Sequence, residues 1–372
     1  MSIIKTIVVS AVNIRKGGTL TILQDCLCAL SASAVKGEYR VIAIVHCKTL
    51  CNFPGIEYIE IPWSVRSWIY RLWCEYITMH RISRQIGDID LWLSLHDTTP
   101  HVKAKCQAVY CHNAFSFFHW RWRHFWQNYR IVCFALFSRW IYRINLYRNR
   151  FIIVQEEWFR ISFSKMFHLS KERIIVFPPS IRNGKLIQQT KQSSLNNQYT
   201  FLYPAFPDVH KNFECLCEAA RLLEIEVGKD CFQVMLTTSR EFNRYSHWLH
   251  HRWGNVSSIR FCGFLNRQQL DELYTKTDCL VFPSHIETCG LPISEFAHTG
   301  RPMLLADLPY AHESACGSSY TAFFDPDSPQ DLKTLMRSLL QNNISFLRSI
   351  PDQPHQSPHV SEWPELIRKL LT

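Results

Sequence analysis

Two glutamates, Glu287 and Glu295, lie eight residues apart on either side of Gly290 and Pro292. The apolar run before them, 278–282, is short and β-prone, so it predicts a buried parallel strand. Gly290 predicts a close turn at the end of this strand, and Pro292 predicts the first residue of a helix. The free amides and positive dipole end of such a helix favour an anion. The segment therefore predicts a site for a phosphorylated sugar at the carboxyl end of a sheet.

The predicted turn separates the two carboxylates into two roles. Glu287, on the loop, is placed to reach a sugar ring near the phosphates. Glu295, within about one turn of the helix start, is placed to accept hydrogen bonds from ribose hydroxyls. The alternative is structural, with Glu287 capping the helix and Glu295 solvated. The spacing by itself does not distinguish these interpretations.

A lysine at a predicted helix start gives a second indication of a bound anion. Lys211 follows the strand-like run 200–203 and precedes the helical run 213–223. Lysine and a helix N-terminus both carry positive charge, so the placement is unfavourable unless an anion lies between them. The sequence thus predicts Lys211 as a phosphate-binding cation, with His210 beside it.

Further candidates fall at strand ends in the first half. Gly17 and Gly18 stand where the first strand gives way to a helix, and backbone amides at such a junction approach an anion closely. The surrounding sequence matches neither a Walker loop nor G-x-G-x-x-G, and a tight turn would also explain the glycines. His112 ends another strand-like run, where its ring could donate a hydrogen bond to a sugar or departing phosphate, or serve the core alone.

The composition indicates a globular protein of two domains. The chain has 372 residues, 47% hydrophobic and 19% charged, which suffices for two ordinary cores and is unlike a disordered or fibrous chain. Lys5 interrupts the apolar start, which lacks the features of a signal peptide, so a cytoplasmic location is predicted. The fifteen cysteines include no C-x-x-C and are predicted to be free thiols.

The net charge of +10 is unevenly distributed. No acidic residue occurs between Asp97 and Glu156, and residues 117–150 interleave arginines with aromatic side chains. This mixture is typical of contact with an anionic membrane surface. The most apolar stretch, 131–137, is far shorter than the roughly 20 residues that span a bilayer. The segment is predicted to lie on the inner-membrane surface, the alternative being core-packed helices with solvated arginines.

Strand-like and helix-like runs alternate in both halves, which predicts two doubly wound parallel sheets. The predicted strands are 3–10, 39–46, 56–61, 91–95, 108–112 and 151–155 in the first half, and 200–203, 231–237, 259–261, 278–282 and 303–306 in the second. The predicted helices cover 19–33, 67–86 and 213–223, run from Asn266 to Lys276, and start at Pro292 and Pro329.

The polar stretch after Pro178-Pro179 predicts a linker. The predicted organisation is an N-terminal domain over 1–181, a linker over 182–199, a C-terminal domain over 200–355, and a C-terminal helix within 356–372. That last helix is expected to pack back on the first domain.

The segment from Phe282 to Pro302 closely resembles the E-x7-E signature of retaining, nucleotide-sugar-dependent glycosyltransferases of family 4, including its flanking F-P-S, G-L-P and G-x-P. The resemblance covers nearly the whole chain and implies the α/β GT-B fold, in which two Rossmann-like doubly wound domains face a cleft. It implies that Glu295 binds the ribose, that Glu287 lies beside the transferred sugar and that Lys211 holds the diphosphate. The other implied site residues are Gly290, Leu291, Pro292, Gly263, His210, His112, Gly17 and Gly18.

The same resemblance implies which residues surround the donor base. At one position this chain departs from the family's pattern. Gly263 matches the family's G-x-[LV] turn near the base, and Phe264 and Leu265 either line that pocket or pack in the core. The family often has G-R where this chain has Pro204-Ala205, which leaves the second phosphate charge unassigned. Possible substitutes are His210, Arg15 and Lys16.

The implied reaction transfers a sugar from a nucleotide diphosphate to a hydroxyl of a glycan acceptor, with retention and with neither cofactor nor metal. An undecaprenyl-diphosphate-linked acceptor in O-antigen or capsule biosynthesis is the expected partner. One alternative is a nucleotide-sugar 2-epimerase on the same fold, which needs no acceptor. Another is a basic nucleic-acid-binding protein, although the sequence contains no nucleic-acid-binding motif.

Overall fold

A computed structural model describes residues 4–179 and 198–372. The described residues form two compact units. Residues 4–116, 136–179 and 355–372 belong to the first, and residues 117–135 and 198–354 to the second. The predicted boundary at 181, and almost all of the predicted linker over 182–199, lie outside the described residues.

The first unit is built on a seven-stranded sheet in which all neighbouring strands are parallel. Alternate residues of its first strand face different cores, with Ile7 and Val9 in one and Val8 in the other. Burial on both faces explains the nearly continuous apolar runs. The strands are β1 (Lys5–Ala11), β2 (Tyr39–Val45), β3 (Ile56–Glu60), β4 (Leu91–Ser94), β5 (Cys106–Tyr110), β6 (Phe151–Val154) and β7 (Ile174–Val176), in spatial order β3-β2-β1-β4-β5-β6-β7.

The helices that accompany these strands are α1 (Gly18–Val35), α2 (Trp68–Trp73), α3 (Met79–Ile86), α4 (Trp122–Arg143) and α5 (Glu157–Phe167). The predicted helix over 67–86 is present, and a π-helical turn at Cys74–Thr78 joins α2 to α3. Among the described helices, α1 alone is long and apolar enough to cross a membrane by length and composition. Its Leu23, Leu27 and Leu30 are buried in the core of the first unit.

The second unit contains a six-stranded sheet whose neighbouring strands are again all parallel. Its strands are β8 (Tyr199–Tyr203), β9 (Phe232–Leu236), β10 (Ile259–Phe261), β11 (Cys279–Phe282), β12 (Met303–Ala306) and β13 (Thr321–Phe324), in spatial order β10-β9-β8-β11-β12-β13. Its helices are α6 (Phe213–Val227), α7 (Arg244–Trp253), α8 (Arg267–Lys276), α9 (Leu291–Ala297), α10 (Pro309–Ser314) and α11 (Pro329–Leu340). The side chains of Asn266 and Ser328 cap α8 and α11 as predicted.

Both sheets reverse their strand order beside their first strand, and this place is the switch point of the sheet. In the first unit β1 lies between β2 and β4, and in the second β8 lies between β9 and β11. Chains that leave the carboxyl ends of such neighbours diverge to opposite faces of the sheet and leave a crevice, where doubly wound sheets bind ligands. Ligand-binding side chains are therefore expected in the segments that follow β1, β4, β8 and β11.

The C-terminal helix, α12 (Trp363–Leu370), belongs to the first unit. Trp363, Leu366, Ile367 and Leu370 are buried in the same core as α1. The residues before it also join this unit, because His359 forms a parallel bridge with Val176.

Residues 117–135 group with the second unit, although the predicted N-terminal domain includes them. Two polar contacts hold this segment there. Arg121 Nη2 lies 2.5 Å from Asp327 Oδ2, and Asn128 Nδ2 donates to Asp208 Oδ1 at 3.2 Å. Contacts between segments distant in sequence decide this grouping, and local patterns do not carry that information.

The basic aromatic segment folds mainly into α4, which is kinked at Asn128. After the kink one side of the helix is buried through Val132, Ala135, Ser138 and Tyr142. Its exposed side carries large apolar residues and arginines together: Tyr129, Arg130, Leu136, Phe137, Arg139, Trp140 and Arg143. Before the kink, Trp122 and Trp126 are also exposed, the latter by 76%.

Candidate active site

Lys211 and Glu287 meet at the switch point of the second sheet. Lys211 follows β8, Glu287 follows β11, and the two strands are hydrogen-bonded neighbours. Lys211 Nζ lies 2.6 Å from Glu287 Oε1, and both side chains are mostly buried. The anion that the sequence requires near Lys211 is thus present in the protein itself, as Glu287. A ligand phosphate at Lys211 would have to share or replace this carboxylate.

The backbone around Lys211 is held by contacts to the loop after β11. Asn212 adopts a left-handed conformation with φ 52°, and its Nδ2 donates to the carbonyls of Pro283 at 3.1 Å and Pro326 at 2.7 Å. The hydroxyl of Tyr203 donates to the carbonyl of Lys211 at 2.8 Å. These buried polar contacts fix the position from which the lysine side chain projects.

Glu295 is buried on α9, where two side chains of α8 hold its carboxylate. Arg267 Nη1 lies 2.5 Å from Oε1, and the Tyr274 hydroxyl donates to Oε2 at 3.3 Å. Burial, reinforced by the negative charge of Glu295, raises the pKa of Tyr274 well above its ordinary value, so its hydroxyl keeps its proton. The structural alternative of a solvated Glu295 is therefore wrong, and Arg267 and Tyr274 are site residues that the sequence did not reveal.

The start of α9 differs from the prediction. The helix begins at Leu291, with Pro292 second, and contains seven residues. Its first amides already have acceptors: Gly290 N–H donates to Ser314 Oγ at 3.1 Å, and Ile293 N–H to the Gly290 carbonyl at 2.7 Å. The expectation of free amides for a phosphate is therefore wrong for these groups. Gly290 has φ −73°, and glycine is favoured there because a Cβ would lie 2.8 Å from Ile293 Cδ1.

Three histidines gather around Phe118 in the second unit. The ring of Phe118 stacks on His124 at 5.2 Å and approaches His210 and His285 at 6.4 and 6.5 Å. Burial lowers the pKa of His124 and of His285 to about 4, and that of His210 well below its ordinary value. His210 is therefore neutral at pH 7. It therefore does not supply a second positive charge for the diphosphate. The sequence had offered it in that role, as a substitute for the arginine missing at Ala205.

Three exposed phenylalanines lie after the carboxyl ends of β8, β9 and β10. Phe264 is 66% exposed and stacks on Phe206 with ring centroids 5.5 Å apart, and Phe242 lies 5.6 Å from Phe206. Gly263 has φ +75°, a conformation that favours glycine, and it directs the chain into this group. The alternative prediction that Phe264 packs in the core is therefore wrong. Ala205, where an arginine was expected, donates its N–H to Thr237 Oγ1 at 3.0 Å.

His112 lies in the first unit, two residues beyond the end of β5 rather than within the strand. Its backbone N–H donates to Asp97 Oδ1 at 2.5 Å, and its Nε2 lies 3.1 Å from the Leu95 carbonyl. A carbonyl only accepts, so Nε2 carries the proton. Burial lowers the pKa of His112 and favours the neutral ring. In that state Nδ1 carries a lone pair and no proton, so at this atom the ring is able to accept a hydrogen bond but not to donate one.

Gly17 and Gly18 differ in how strictly they require glycine. Gly17 has φ +72° and precedes the first turn of α1, accepting the Leu20 amide at 3.0 Å. The φ of Gly18 does not lie in this positive range, and a Cβ there would meet no atom within 4 Å. Only Gly17 is therefore dictated by the backbone. Arg15 and Lys16, beside these glycines, belong to the first unit as well.

The structure brings together only part of the predicted set. Lys211, Glu287 and His210 adjoin at the switch point of the second sheet, while Glu295 is tied to α8. His112, Gly17 and Gly18 belong to the other unit. Within residues 4–179 and 198–372, no group of three or more His, Cys, Asp or Glu side chains is arranged to hold a metal ion.

Comparison with known proteins agrees with this architecture. Residues 186–352 match the family described as glycosyl transferases group 1. The matched residues include β8 to β13, the Lys211–Glu287 pair and Glu295. This part of the chain belongs to the glycosyl transferases group 1 family. Among curated proteins, the chain is 20% identical over 209 residues to an O-antigen chain mannosyltransferase, RfbU, from Salmonella typhimurium. That match spans 55% of this chain and 55% of RfbU.

Solved glycosyltransferases of the GT-B type have the same fold over most of the chain. WaaG, a glycosyltransferase involved in lipopolysaccharide biosynthesis, matches with a TM-score of 0.61 at 14% identity, covering 91% of this chain and 92% of WaaG. Sucrose-phosphate synthase from Thermosynechococcus elongatus matches with a TM-score of 0.61 at 14% identity, covering 93% and 92%. HepE from Anabaena, in complex with UDP and glucose, matches with a TM-score of 0.58 at 14% identity, covering 92% of each chain. At these identities the likeness establishes the GT-B fold.

Proposed function

We propose that the whole chain is a retaining glycosyltransferase that moves a sugar from a nucleotide-diphosphate sugar to a hydroxyl of a lipid-linked glycan acceptor. The observation that carries this proposal is the mostly buried Lys211–Glu287 pair at the switch point of a family-matched sheet. Glu295, held ready by Arg267 and Tyr274, supplies the second carboxylate of the signature. Assembly of an O-antigen-type or capsule-type polysaccharide at the cytoplasmic side of the inner membrane is the setting we propose.

The donor diphosphate is assigned to Lys211, and the ribose to Glu295. A mostly buried cation gives more electrostatic stabilisation to a departing diphosphate than an exposed one, because water screens it less. Glu287 holds the lysine in place in the absence of donor and lies beside the transferred sugar when the donor is bound. His112, in its neutral form, accepts a hydrogen bond from a sugar hydroxyl. The departing phosphate takes the proton of the acceptor hydroxyl, and no covalent nucleophile is required.

The donor base is assigned to the exposed group of Phe206, Phe242 and Phe264. An aromatic surface that is open to solvent at the carboxyl edge of the sheet offers a face for stacking. Stacking tolerates different bases, so this assignment does not select one nucleotide. It predicts that Phe264→Ala weakens binding of every nucleotide sugar that the protein accepts.

A thermal-shift titration with GDP-, UDP- and dTDP-sugars tests the donor site. We expect one class of donor to raise the melting temperature of the wild type, and Glu295→Gln and Lys211→Gln to reduce that rise. Each variant is compared with its own ligand-free form, so that a change in basal stability is not mistaken for lost binding. Glu272→Gln and Lys276→Gln, at exposed positions of α8, are the matched controls. No response of the wild type to any donor, or equal responses of all variants, would contradict the site.

The stereochemistry requires a separate measurement. Proton NMR of the product formed from an α-linked donor should show an α-linkage if the configuration is retained. A β-linked product would exclude a retaining mechanism while leaving the donor site intact. Conversion of the donor sugar to its 2-epimer without an acceptor would instead identify the epimerase alternative.

Membrane contact is assigned to the segment 117–150. The exposed side of α4 combines aromatic rings with arginines, the composition of helices that lie at an anionic bilayer surface. We infer that this side faces the lipid headgroups and keeps the enzyme near a membrane-bound acceptor.

A further inference from the structure

A basic cavity of about 450 Å³ lies in the first unit, near the switch point between β1 and β4. It is formed by the loop after β1, the turn after β3 and the first turn of α2. Three of its lining residues are cationic, Arg15, Lys16 and Arg71, and none of the nine described lining residues is acidic. The other six are Asn13, Thr19, Ser64, Val65, Ser67 and Trp68.

The three cations are not equally available to a ligand. Arg71 Nε lies 2.8 Å from the fully buried carboxylate of Glu75, and its Nη2 donates to the His96 carbonyl at 3.0 Å. Arg71 is thereby held rigidly, and its charge is partly offset. Arg15 Nη2 donates one hydrogen bond to the Val65 carbonyl at 2.7 Å. A guanidinium carries five N–H groups, so this bond engages one of the five. Arg15 and Lys16, both exposed, therefore supply most of the positive charge.

An apolar surface adjoins this cavity on the same helix. Ile69, Leu72 and Trp73 of α2 share one face, since they are three and four residues apart, and all three are exposed, Ile69 by 78%. Trp68 and Tyr70 of the same helix are also exposed. Arg71 is turned the other way, into the cavity. The basic cavity is thus bordered directly by an exposed apolar surface.

We propose that this cavity binds the phosphate or diphosphate group of a lipid-linked acceptor, while the exposed residues of α2 contact its lipid in the membrane. A compact polyanion attached to an aliphatic chain complements a basic cavity that is bordered by exposed apolar side chains. This inference rests on the proposed function, because it names the acceptor class for that reaction. It also assigns Arg15 and Lys16 to the acceptor, and excludes them as substitutes for the arginine missing at Ala205.

Flotation of the full chain with lipid vesicles tests the site. The vesicles contain phosphatidylcholine alone, phosphatidylcholine with phosphatidylglycerol, or phosphatidylcholine with a polyprenyl diphosphate. We expect tightest binding to the third composition, and about tenfold weaker binding of the double variant Arg15→Gln/Lys16→Gln. The control, Arg81→Gln/Arg84→Gln, removes two exposed cations of α3 and should bind as the wild type does. Equal losses in both double variants, or equal binding to phosphatidylglycerol and polyprenyl diphosphate, would overturn the acceptor site.

Soluble pyrophosphate separates the two parts of the proposal. In isothermal titration, Ile69→Ser/Leu72→Ser should keep pyrophosphate binding while losing affinity for polyprenyl-diphosphate vesicles, and the exposed control Val35→Ser should change neither. If Ile69→Ser/Leu72→Ser binds those vesicles as the wild type does, α2 does not contact the lipid.

The nucleotide-sugar thermal shift distinguishes failure of this inference from failure of the proposed function. We expect Arg15→Gln/Lys16→Gln to respond to donor as the wild type does. If it does not respond, these cations serve the donor diphosphate and the acceptor assignment is wrong. If the wild type itself ignores all donors but binds polyprenyl diphosphate through Arg15 and Lys16, the phosphate site stands and the transferase proposal fails.

Discussion

At the scale of single residues, the chemistry of the second unit lies in paired charges. Lys211 is paired with Glu287, and Glu295 is paired with Arg267. Neither glutamate is therefore an isolated buried carboxylate. An unpaired buried charge is costly, and the pairing removes most of that cost in the absence of ligand. Under the proposed function, donor binding would rearrange existing ion pairs instead of filling an unsatisfied site.

Arg267→Met tests the pairing at Glu295. The change removes the cation and leaves the carboxylate buried beside Tyr274 alone. Because Arg267 is nearly half exposed, we expect a loss of about 1–2 kcal/mol in the free energy of unfolding, rather than the larger loss of a fully buried pair. Urea denaturation measures it, with the exposed Arg260→Met as control. A double variant with Glu295→Gln should lose less than the two single changes added together.

The buried histidines predict a pH dependence of stability. Their folded pKa of about 4 lies below the 6.5 of a free histidine, so between these values the unfolded chain binds protons that His124 and His285 do not. The free energy of unfolding should therefore fall as the pH is lowered through this window, by on the order of 1 kcal/mol or more for each histidine. His124→Gln should flatten the profile measured by urea denaturation, and the exposed His251→Gln should not. An unchanged slope in His124→Gln would refute the assignment.

At the scale of elements, the turn into α1 depends on one glycine of its pair. Gly17→Ala forces a Cβ into φ +72° and should cost about 1 kcal/mol of unfolding free energy. Gly18→Ala adds a methyl group in open space near a helix start and should be neutral or slightly stabilising. Thermal denaturation of the two variants gives the comparison directly. Equal melting temperatures would mean that the turn adapts and that its backbone is not strictly held.

The exposed side of α4 carries a prediction about membrane binding. Trp126→Ser/Trp140→Ser removes two of its most exposed aromatic rings and should weaken binding to phosphatidylglycerol vesicles by about tenfold or more. Tyr320→Ser, an exposed aromatic of the second unit outside this segment, is the control. If both variants float with vesicles equally well, α4 is not the membrane-facing element.

At the scale of the whole molecule, the charge of +10 predicts salt-dependent association with anionic surfaces. Raising the ionic strength from about 0.1 to 1 M shortens the Debye length from roughly 10 to 3 Å. Vesicle binding should therefore weaken, while the contribution of the aromatic rings that are inserted into the bilayer remains. Vesicle flotation across a salt series measures this. Tight, salt-sensitive binding to single-stranded DNA, with no response to nucleotide sugars, would favour the nucleic-acid-binding alternative instead.

Much of the fold follows from local pattern. The apolar runs at 39–46, 151–155 and 303–306 predict strands that the structure contains within one residue at each end, because parallel strands buried on both faces are nearly all apolar. The short strands β7 and β13 did not stand out, since three or four residues show no periodicity. The caps at Asn266 and Ser328 were predictable because their hydrogen bonds are local.

The sequence by itself determined the α/β architecture, the signature glutamates, Lys211 and the alternation of two sheets, because each rests on residues within about one element of each other. Only the tertiary structure decided that Lys211 pairs with Glu287, that Arg267 and Tyr274 hold Glu295, and that residues 117–135 join the second unit. It also decided that the amides at the start of α9 are already engaged. These are contacts between segments far apart in the chain. Their partners depend on how strands are ordered and helices packed, which no local spacing encodes.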